Sequence, residues 1–341
     1  MATLHATPQV RHARSPADGG RIAYTVCGTG PPLVLLHPIG LNRTWWAEHA
    51  EALAENHRVI AIDLAGHGTS DRAQPGSRLQ DLARGVLSVL DAEAVEGTHI
   101  VGVSMGGMIA QHVALLQPDR VAAMILCSTT GGFTAALRPV LAQRGLDAMT
   151  ADGMAAVVDS TLDRWFSPPE RTAGIRRRCT DTLLAQDPAN WAACWHAISQ
   201  HDALPQLHEL AMPVLVLTGT ADTSTPPAAA AALAQALPNA QLHIIDDAPH
   251  LGIYEAGRPF LEEFTKFLAQ QRRDGRAAAR ATRHASWRAN RRAPASPQPT
   301  AAKSCASTAP NTTEPPPIPQ GRCHDHQSAA SRTPASGPRW P

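Results

Sequence analysis

The sequence predicts an α/β fold: a mostly parallel sheet of eight strands, with helices on both faces and one all-helical insertion. Three observations carry this. Apolar runs of strand length, such as Leu33-Val34-Leu35-Leu36 and Val59-Ile60-Ala61-Ile62, are continuous rather than alternating, as expected of strands buried on both faces. Segments of helical period separate them, and repeated strand and helix imply parallel pairing through helical crossovers. The third is the stretch from His99 to Leu116. It opens as a β-branched strand, turns at Gly102-Val103-Ser104-Met105-Gly106 and continues with apolar residues at Met108, Ile109, Val113 and Leu116, close to a 3.6-residue period.

In chain order, residues 10–27 read as a hairpin turning at Asp18-Gly19-Gly20, with Arg21 to Cys27 as its second strand. After the break at Gly28-Thr29-Gly30-Pro31-Pro32, a strand runs from Leu33 to His37 and ends in Pro38-Ile39-Gly40. A helix follows through Trp45 to Asn56, then a strand from Arg58 to Asp63, a turn from Leu64 to Asp71, and a helix from Leu79 to Asp91. Beyond the helix after Ser104, Val121 to Cys127 is another strand. There the rhythm stops. Residues 131 to about 208 read as short helices at Leu137 to Leu146, Gly153 to Ser160, Glu170 to Ala185 and Asn190 to His201, broken by Pro168-Pro169 and Asp187-Pro188. Such an insertion is expected to form a lid over the carboxyl ends of the strands, where ligands bind in parallel sheets. The sheet resumes at Met212 to Gly219, followed by a helix from Pro227 to Leu237, a strand from Gln241 to Ile245 and a last helix from Glu255 to about Gln271. One domain over 1–272 is expected, its helical lid at about 131–208.

Residues 273–341 differ in kind: rich in Pro, Ala, Ser and Arg and almost without aliphatic side chains, they are expected to form a disordered basic tail. From Arg272 onward there are 12 Lys/Arg against 3 Asp/Glu, which leaves 18 basic against 26 acidic residues before it. The folded part is therefore acidic, and nucleic acid is not expected as a partner. Cys323-His324-Asp325-His326 lacks the preformed geometry a metal site needs, and neither metal nor cofactor is expected. The six cysteines show no C-x-x-C and no regular framework, and read as reduced thiols. No secretory leader and no membrane-length apolar run is visible. A soluble cytoplasmic protein acting on a small molecule is expected; oligomeric state is not readable.

G-x-S-x-G between a strand and a helix is the setting of an exposed nucleophile. Side chains at Gly102 or Gly106 would collide where the strand doubles back, and the helix N-terminus favours negative charge beside Ser104. A serine nucleophile needs a base and an acid to orient it, and in this topology they follow in the order Ser, Asp, His on loops after later strands. Asp222, in Gly219-Thr220-Ala221-Asp222, and His250, in Asp246-Asp247-Ala248-Pro249-His250, occupy those places. Taken singly, Asp222 also reads as a helix N-cap and His250 as a loop histidine, and Asp246 and Asp247 are further acids; the order of the three residues favours Ser104, Asp222 and His250 together. The oxyanion of a tetrahedral intermediate would meet backbone N–H groups of Met105 and, in the loop after Leu33 to His37, Ile39.

These residues carry a resemblance. Residues 20–270 resemble the α/β-hydrolase family, with His37-Pro38-Ile39-Gly40 in the place of its His-Gly oxyanion motif and Asp63 to Ser70 matching its D-x-x-G-x-G-x-S turn. Within the family, Gly102 to Gln111, Asp163-Arg164-Trp165-Phe166-Ser167-Pro168 and Trp191 to Ile198 are most similar to 3-oxoadipate enol-lactonases, which open an enol-lactone in aromatic-compound catabolism. The resemblance implies an esterase or lactonase working through an acyl-enzyme; a carboxylesterase or perhydrolase of the same fold is the alternative, and a non-catalytic binding protein the remaining one. An enol-lactone with a free carboxylate needs a cationic partner, for which Arg164, beside Trp165, is the first candidate and Arg43 the next.

Overall fold

A computed structural model describes residues 8–273. The expectations for Met1 to Thr7 and for the tail beyond 273, including Cys305 and the Cys323 cluster, lie outside the described residues.

Eight strands form one sheet: β1 Val10–Arg14, β2 Arg21–Cys27, β3 Pro32–Leu36, β4 Arg58–Ile62, β5 Thr98–Val103, β6 Val121–Cys127, β7 Val214–Gly219 and β8 Ala240–Ile245, in the order β1-β2-β4-β3-β5-β6-β7-β8. β1 and β2 pair antiparallel with their neighbours and the rest are parallel. Leu33, Val34, Leu35 and Leu36 of β3 are all fully buried, so both faces of the sheet are covered there, as a continuous apolar run requires. β8 has only half-buried and exposed positions, as the edge strand it is.

The chain steps from β3 outward to β4 and returns to the far side of β3 as β5. The loops after β3 and β5 therefore diverge at a topological switch point, and a cleft forms there. Register aligns the strand ends around it: Leu36 faces Gly102, Val103 faces Cys127, Cys127 faces Leu217 and Gly219 faces Ile245.

Helices connect the strands: α1 Ala47–Ala54, α2 Leu79–Ala92, α3 Met105–Leu116, then α4 Leu137–Leu146, α5 Ala155–Trp165, α6 Pro169–Leu184 and α7 Pro188–Ser199 between β6 and β7, α8 Pro227–Ala236, α9 Gly252–Glu255 and α10 over 257–273. The two ends of the α4 to α7 excursion are tied together, because Gly132 and Asp202 bridge and the Ala203 and Leu204 amides both donate to the Gly131 carbonyl. Among the described residues no helix is long and apolar enough to cross a membrane.

Three boundaries differ from the sequence expectation. The helix expected through Trp45 opens as a 3-10 turn, Arg43–Trp46, capped by the Asn42 side chain. α5 does not stop at Ser160 but continues to Trp165, which puts Arg164 and Trp165 on its last turn. The terminal helix is broken at Ala256 (φ −133°, ψ 49°), where Gly257 packs so closely on His49 that a Cβ would lie 2.9 Å from the imidazole Nε2.

Candidate active site

The turn from β5 into α3 holds Ser104 at φ +53°, ψ −116°, a conformation that costs a non-glycine residue on the order of 1–3 kcal/mol. Packing makes it compulsory. A Cβ on Gly102 would lie 2.4 Å from the Gly106 carbonyl oxygen, and one on Gly106 would lie 2.3 Å from that of Leu36, so strand and helix close on each other with no room for a side chain. Two hydrogen bonds hold the serine's own backbone: Ser104 N–H donates to Cys127 O at 2.9 Å, and the Thr129 hydroxyl donates to Ser104 O at 2.7 Å.

Asp222 and His250 arrive from the loops after β7 and β8. The His250 Nε2 lies 3.0 Å from Ser104 Oγ, and its Nδ1 lies 3.0 Å from each Asp222 carboxylate oxygen. A carboxylate only accepts, so Nδ1 carries the proton and Nε2 is left to accept from the serine hydroxyl. Ser104, Asp222 and His250 are all buried. Burial works against the Asp222 charge, yet His250 beside it and hydrogen bonds from His250 and Thr225 outweigh this and hold its carboxyl below the ordinary aspartate value. Ser224 N–H, Thr225 N–H and the Thr225 hydroxyl all donate to Asp222, at 2.9, 2.8 and 2.9 Å. This turn replaces the helix cap that Asp222 alone suggests, since α8 begins five residues later.

The loop after β3 carries Ile39 and the turn after β5 carries Met105; neither amide N–H meets a protein acceptor among the described residues. Two buried histidines set this loop. His37 Nδ1–H donates to Pro38 O at 2.8 Å while its Nε2 accepts from Leu64 N–H at 2.9 Å. His67 Nδ1–H donates to Ala65 O at 3.1 Å while its Nε2 accepts from Gly40 N–H at 3.0 Å. Their rings meet edge to face, 5.0 Å between centroids. Burial pushes His37 down to about 4; burial, with the neighbouring His37, pushes His67 down to about 3, so both are neutral acceptors at neutral pH.

Trp165 stands beside His250, ring centroids 6.5 Å apart, with Trp191 next to it at 6.5 Å and Trp195 beyond at 5.8 Å. A Cβ on Gly40 would lie 2.8 Å from Trp191 Cζ3 and 3.5 Å from Trp165 Cη2, so both rings press on the Ile39 loop. Arg164, half-buried, donates from Nη2 to the Thr161 hydroxyl at 3.1 Å. Arg43 lies elsewhere. Its guanidinium is paired with the fully buried Asp63 carboxylate and bonds Thr69, so the residue expected as the second carboxylate ligand instead neutralises a buried charge. Asp63 also accepts from Arg43 and Thr69 amides at 2.8 Å, and Ser70 donates to Asp63 O, which makes the D-x-x-G-x-G-x-S turn a latch. Trp45 packs away from the site on Tyr254 and under the Arg178 guanidinium. His67, Thr225 and Thr129 are the residues that sequence reasoning missed. For His67 a signal was present, a histidine inside the glycine-rich turn; for the two threonines there was none.

Chemically, a serine hydroxyl bonded to an imidazole whose far nitrogen faces a buried carboxylate can pass its proton to that imidazole as it attacks a carbonyl carbon. Among the described residues no group of three His, Cys, Asp or Glu side chains could hold a metal ion.

Comparison with known proteins agrees with this architecture. A family model described as the alpha/beta hydrolase fold matches residues 31–166 and 181–257. The chain is 28% identical over 246 residues to 3-oxoadipate enol-lactonase 1 of Acinetobacter baylyi, covering 70% of this chain and 88% of that one. It is 30% identical over 255 residues to the pimeloyl-[acyl-carrier protein] methyl ester esterase of Vibrio atlanticus, covering 72% and 96%. The crystal structure of the enol-lactonase from Burkholderia xenovorans LB400 superposes with a TM-score of 0.72 at 28% identity, over 76% of this chain and 100% of that one. With the sheet order, the strained serine turn and the matched length in agreement, the chain belongs to the α/β-hydrolase family.

Proposed function

We propose that the protein is a serine hydrolase that cleaves a carboxylic ester or lactone through an acyl-enzyme, with 3-oxoadipate enol-lactone as its substrate. The observation that carries this reading is the unbroken, buried hydrogen-bond chain from Asp222 through His250 to Ser104. Ser104 attacks the acyl carbonyl and His250 takes its proton, while Asp222 fixes the tautomer and stabilises the imidazolium. The Ile39 and Met105 amides receive the oxyanion; such a donor is worth roughly 10²- to 10³-fold in rate. His250 then returns its proton to the leaving oxygen, and in the second half activates water against the ester at Ser104. Neither metal nor cofactor takes part in this scheme. Helices α4 to α7 act as the lid of a domain ending near 272, and the enzyme works in the cytoplasm, where its thiols stay reduced. The relatives' names, an enol-lactonase and a methyl ester esterase, support an oxygen ester as the bond broken.

The test is loss of enol-lactone absorbance with purified protein, run beside a short nitrophenyl ester and a Ser104→Ala control. Turnover of the lactone that disappears in Ser104→Ala is the expected result. Hydrolysis of the nitrophenyl ester alone would overturn the lactone assignment and leave a carboxylesterase; equal inactivity of both proteins on both substrates would overturn the hydrolase reading.

A further inference from the structure

The turn after β3 is closed by Leu41 N–H donating to Pro38 O at 3.3 Å, with Gly40 in third place at φ +76°, the pattern of a type II turn. Two of its peptide units run head to tail. The Gly40 carbonyl and the Leu41 N–H belong to one unit, the Pro38 carbonyl and the Ile39 N–H to the other. In a trans peptide these two groups point in opposite directions, so whatever holds the Gly40 carbonyl acts through Leu41 and Pro38 on the direction of the Ile39 N–H. The group that holds it comes from 146 residues away: the Gln186 side chain donates from Nε2 to Gly40 O at 3.3 Å. Gln186 lies just beyond α6, where its own N–H donates to Leu183 O at 3.0 Å and its neighbour Asp187 caps α7 by accepting from Ala189 N–H at 2.8 Å.

This corner between α6 and α7 grips the turn with apolar groups as well. A Cβ on Gly40 would lie 2.6 Å from Leu183 Cδ2 and 2.8 Å from Trp191 Cζ3. Farther back along α6, Thr182 Oγ1 accepts from the Trp45 indole N–H at 3.2 Å and Arg178 donates to Thr44 O at 3.1 Å. Positions 178, 182 and 186 recur every four residues, the spacing of one helix face, and that face lies along residues 40–45. Of the three, Arg178 and Thr182 hold the 3-10 turn and Gln186 reaches the turn that contains Ile39. Gln186 is half-buried and lines, with Asn42, His67 and Asp187, a cleft of about 500 Å³. With room for water beside it, folding does not need this side chain to satisfy the Gly40 carbonyl. A water would not supply a donor fixed to α6 and α7.

We infer that Gln186 is a positioning residue for the Ile39 donor, acting through two peptide units, so that the oxyanion site is aligned only while the corner between α6 and α7 is seated on Gly40. The inference rests on the proposed roles of Ser104 and Ile39. Amides aligned head to tail polarise one another, so each bond in the row from Gln186 to Ile39 strengthens the next.

Three variants test it. Gln186→Met removes the donor at similar length, Gln186→Glu turns a carboxylate on the carbonyl, and Gln186→Lys restores a donor. The assay uses a short nitrophenyl ester, with active sites counted by a phosphonate that labels Ser104. In Gln186→Met, kcat is expected to fall about 3- to 10-fold, with KM and urea unfolding close to wild type; Gln186→Glu should lose more and Gln186→Lys less. A trifluoromethyl ketone, which Ser104 would convert to a tetrahedral oxyanion, should lose affinity by the same factor as kcat, while the corresponding secondary alcohol, which cannot be attacked, should bind as before. Independently of catalysis, deuterium exchange at the Gly40 and Leu41 amides should quicken by about 3- to 10-fold in Gln186→Met, with β3 unchanged. Wild-type kcat in both Gln186→Met and Gln186→Glu, a loss carried by KM, or unchanged exchange at the turn would overturn the inference and leave the hydrolase standing. A wild type that neither turns over an ester nor takes up the phosphonate would overturn the hydrolase reading, and the inference with it.

Discussion

Replacing His67 with phenylalanine tests how the loop after β3, with the proposed oxyanion donor Ile39, is held. The ring keeps its shape against His37, but the acceptor for Gly40 N–H, 3.0 Å away and buried, disappears. No other hydrogen bond is available to that amide, so it stays unpaired or the loop moves. An unpaired buried N–H costs about 1–3 kcal/mol. If the loop stays, this appears as lost stability in urea unfolding. If it moves, the Ile39 amide one residue earlier moves with it, and the same energy falls on the transition state as roughly a 5- to 150-fold loss in rate. If, as proposed, the Ile39 donor meets the oxyanion and not the ground-state carbonyl, kcat is expected to fall with KM nearly constant on a short nitrophenyl ester. A variant that keeps both kcat and unfolding free energy within twofold and 0.5 kcal/mol of wild type would refute the argument, as would a rise in KM at constant kcat.

Other perturbations follow from the same geometry. Asp222→Asn should leave the fold intact and lower kcat by about 10⁴-fold, because an amide N–H presented to His250 favours the wrong tautomer; single-turnover kinetics would show it. Arg43→Leu leaves the Asp63 carboxylate buried without its cation and should destabilise the protein by about 3–5 kcal/mol in urea unfolding, whereas Arg43→Leu/Asp63→Leu should recover much of the loss. Acid should weaken the fold before it touches Asp222. His37, His99 and His112 are held near 4 and His67 and His201 near 3, against an ordinary 6.5, so below pH 6.5 the unfolded chain binds protons that the native one refuses. Their contribution is whole above pH 6.5 and is lost as pH falls through the folded values, so unfolding free energy should decline from pH 6.5 to 4.

The sheet was legible because its central strands are buried on both faces, which a continuous apolar run of strand length such as Leu33 to Leu36 announces. That Ser104, Asp222 and His250 come together was legible because topology constrains their order and each follows a strand that could be recognised. What escaped depends on partners distant in sequence. Arg43 read as a free cation since nothing near it shows that Asp63, twenty positions on, is buried and needs it. His67 was not singled out, because its acceptor role toward Gly40 exists only once β3 and β4 lie side by side. The end of α5 was misplaced because helix propensity fades after Ser160, while packing of Trp165 against the rings and His250 carries the helix through Arg164.

The bridge between Gly132 and Asp202 separates two kinds of change. Everything between these residues leaves the sheet and returns to the same point, and β6 pairs with β7 as though the excursion were a short loop. Closing a longer excursion costs little, about 0.6 kcal/mol for each doubling of its length. A different helical cassette spliced at these two residues would meet an unchanged β6–β7 register, but it would have to replace the packing of Trp165 beside His250 and the hydrogen bond from Leu251 N–H to Trp165 O. Length and sequence between Gly132 and Asp202 are thus free to vary at little cost to the sheet, provided the contacts made to the loops after β3 and β8 are kept.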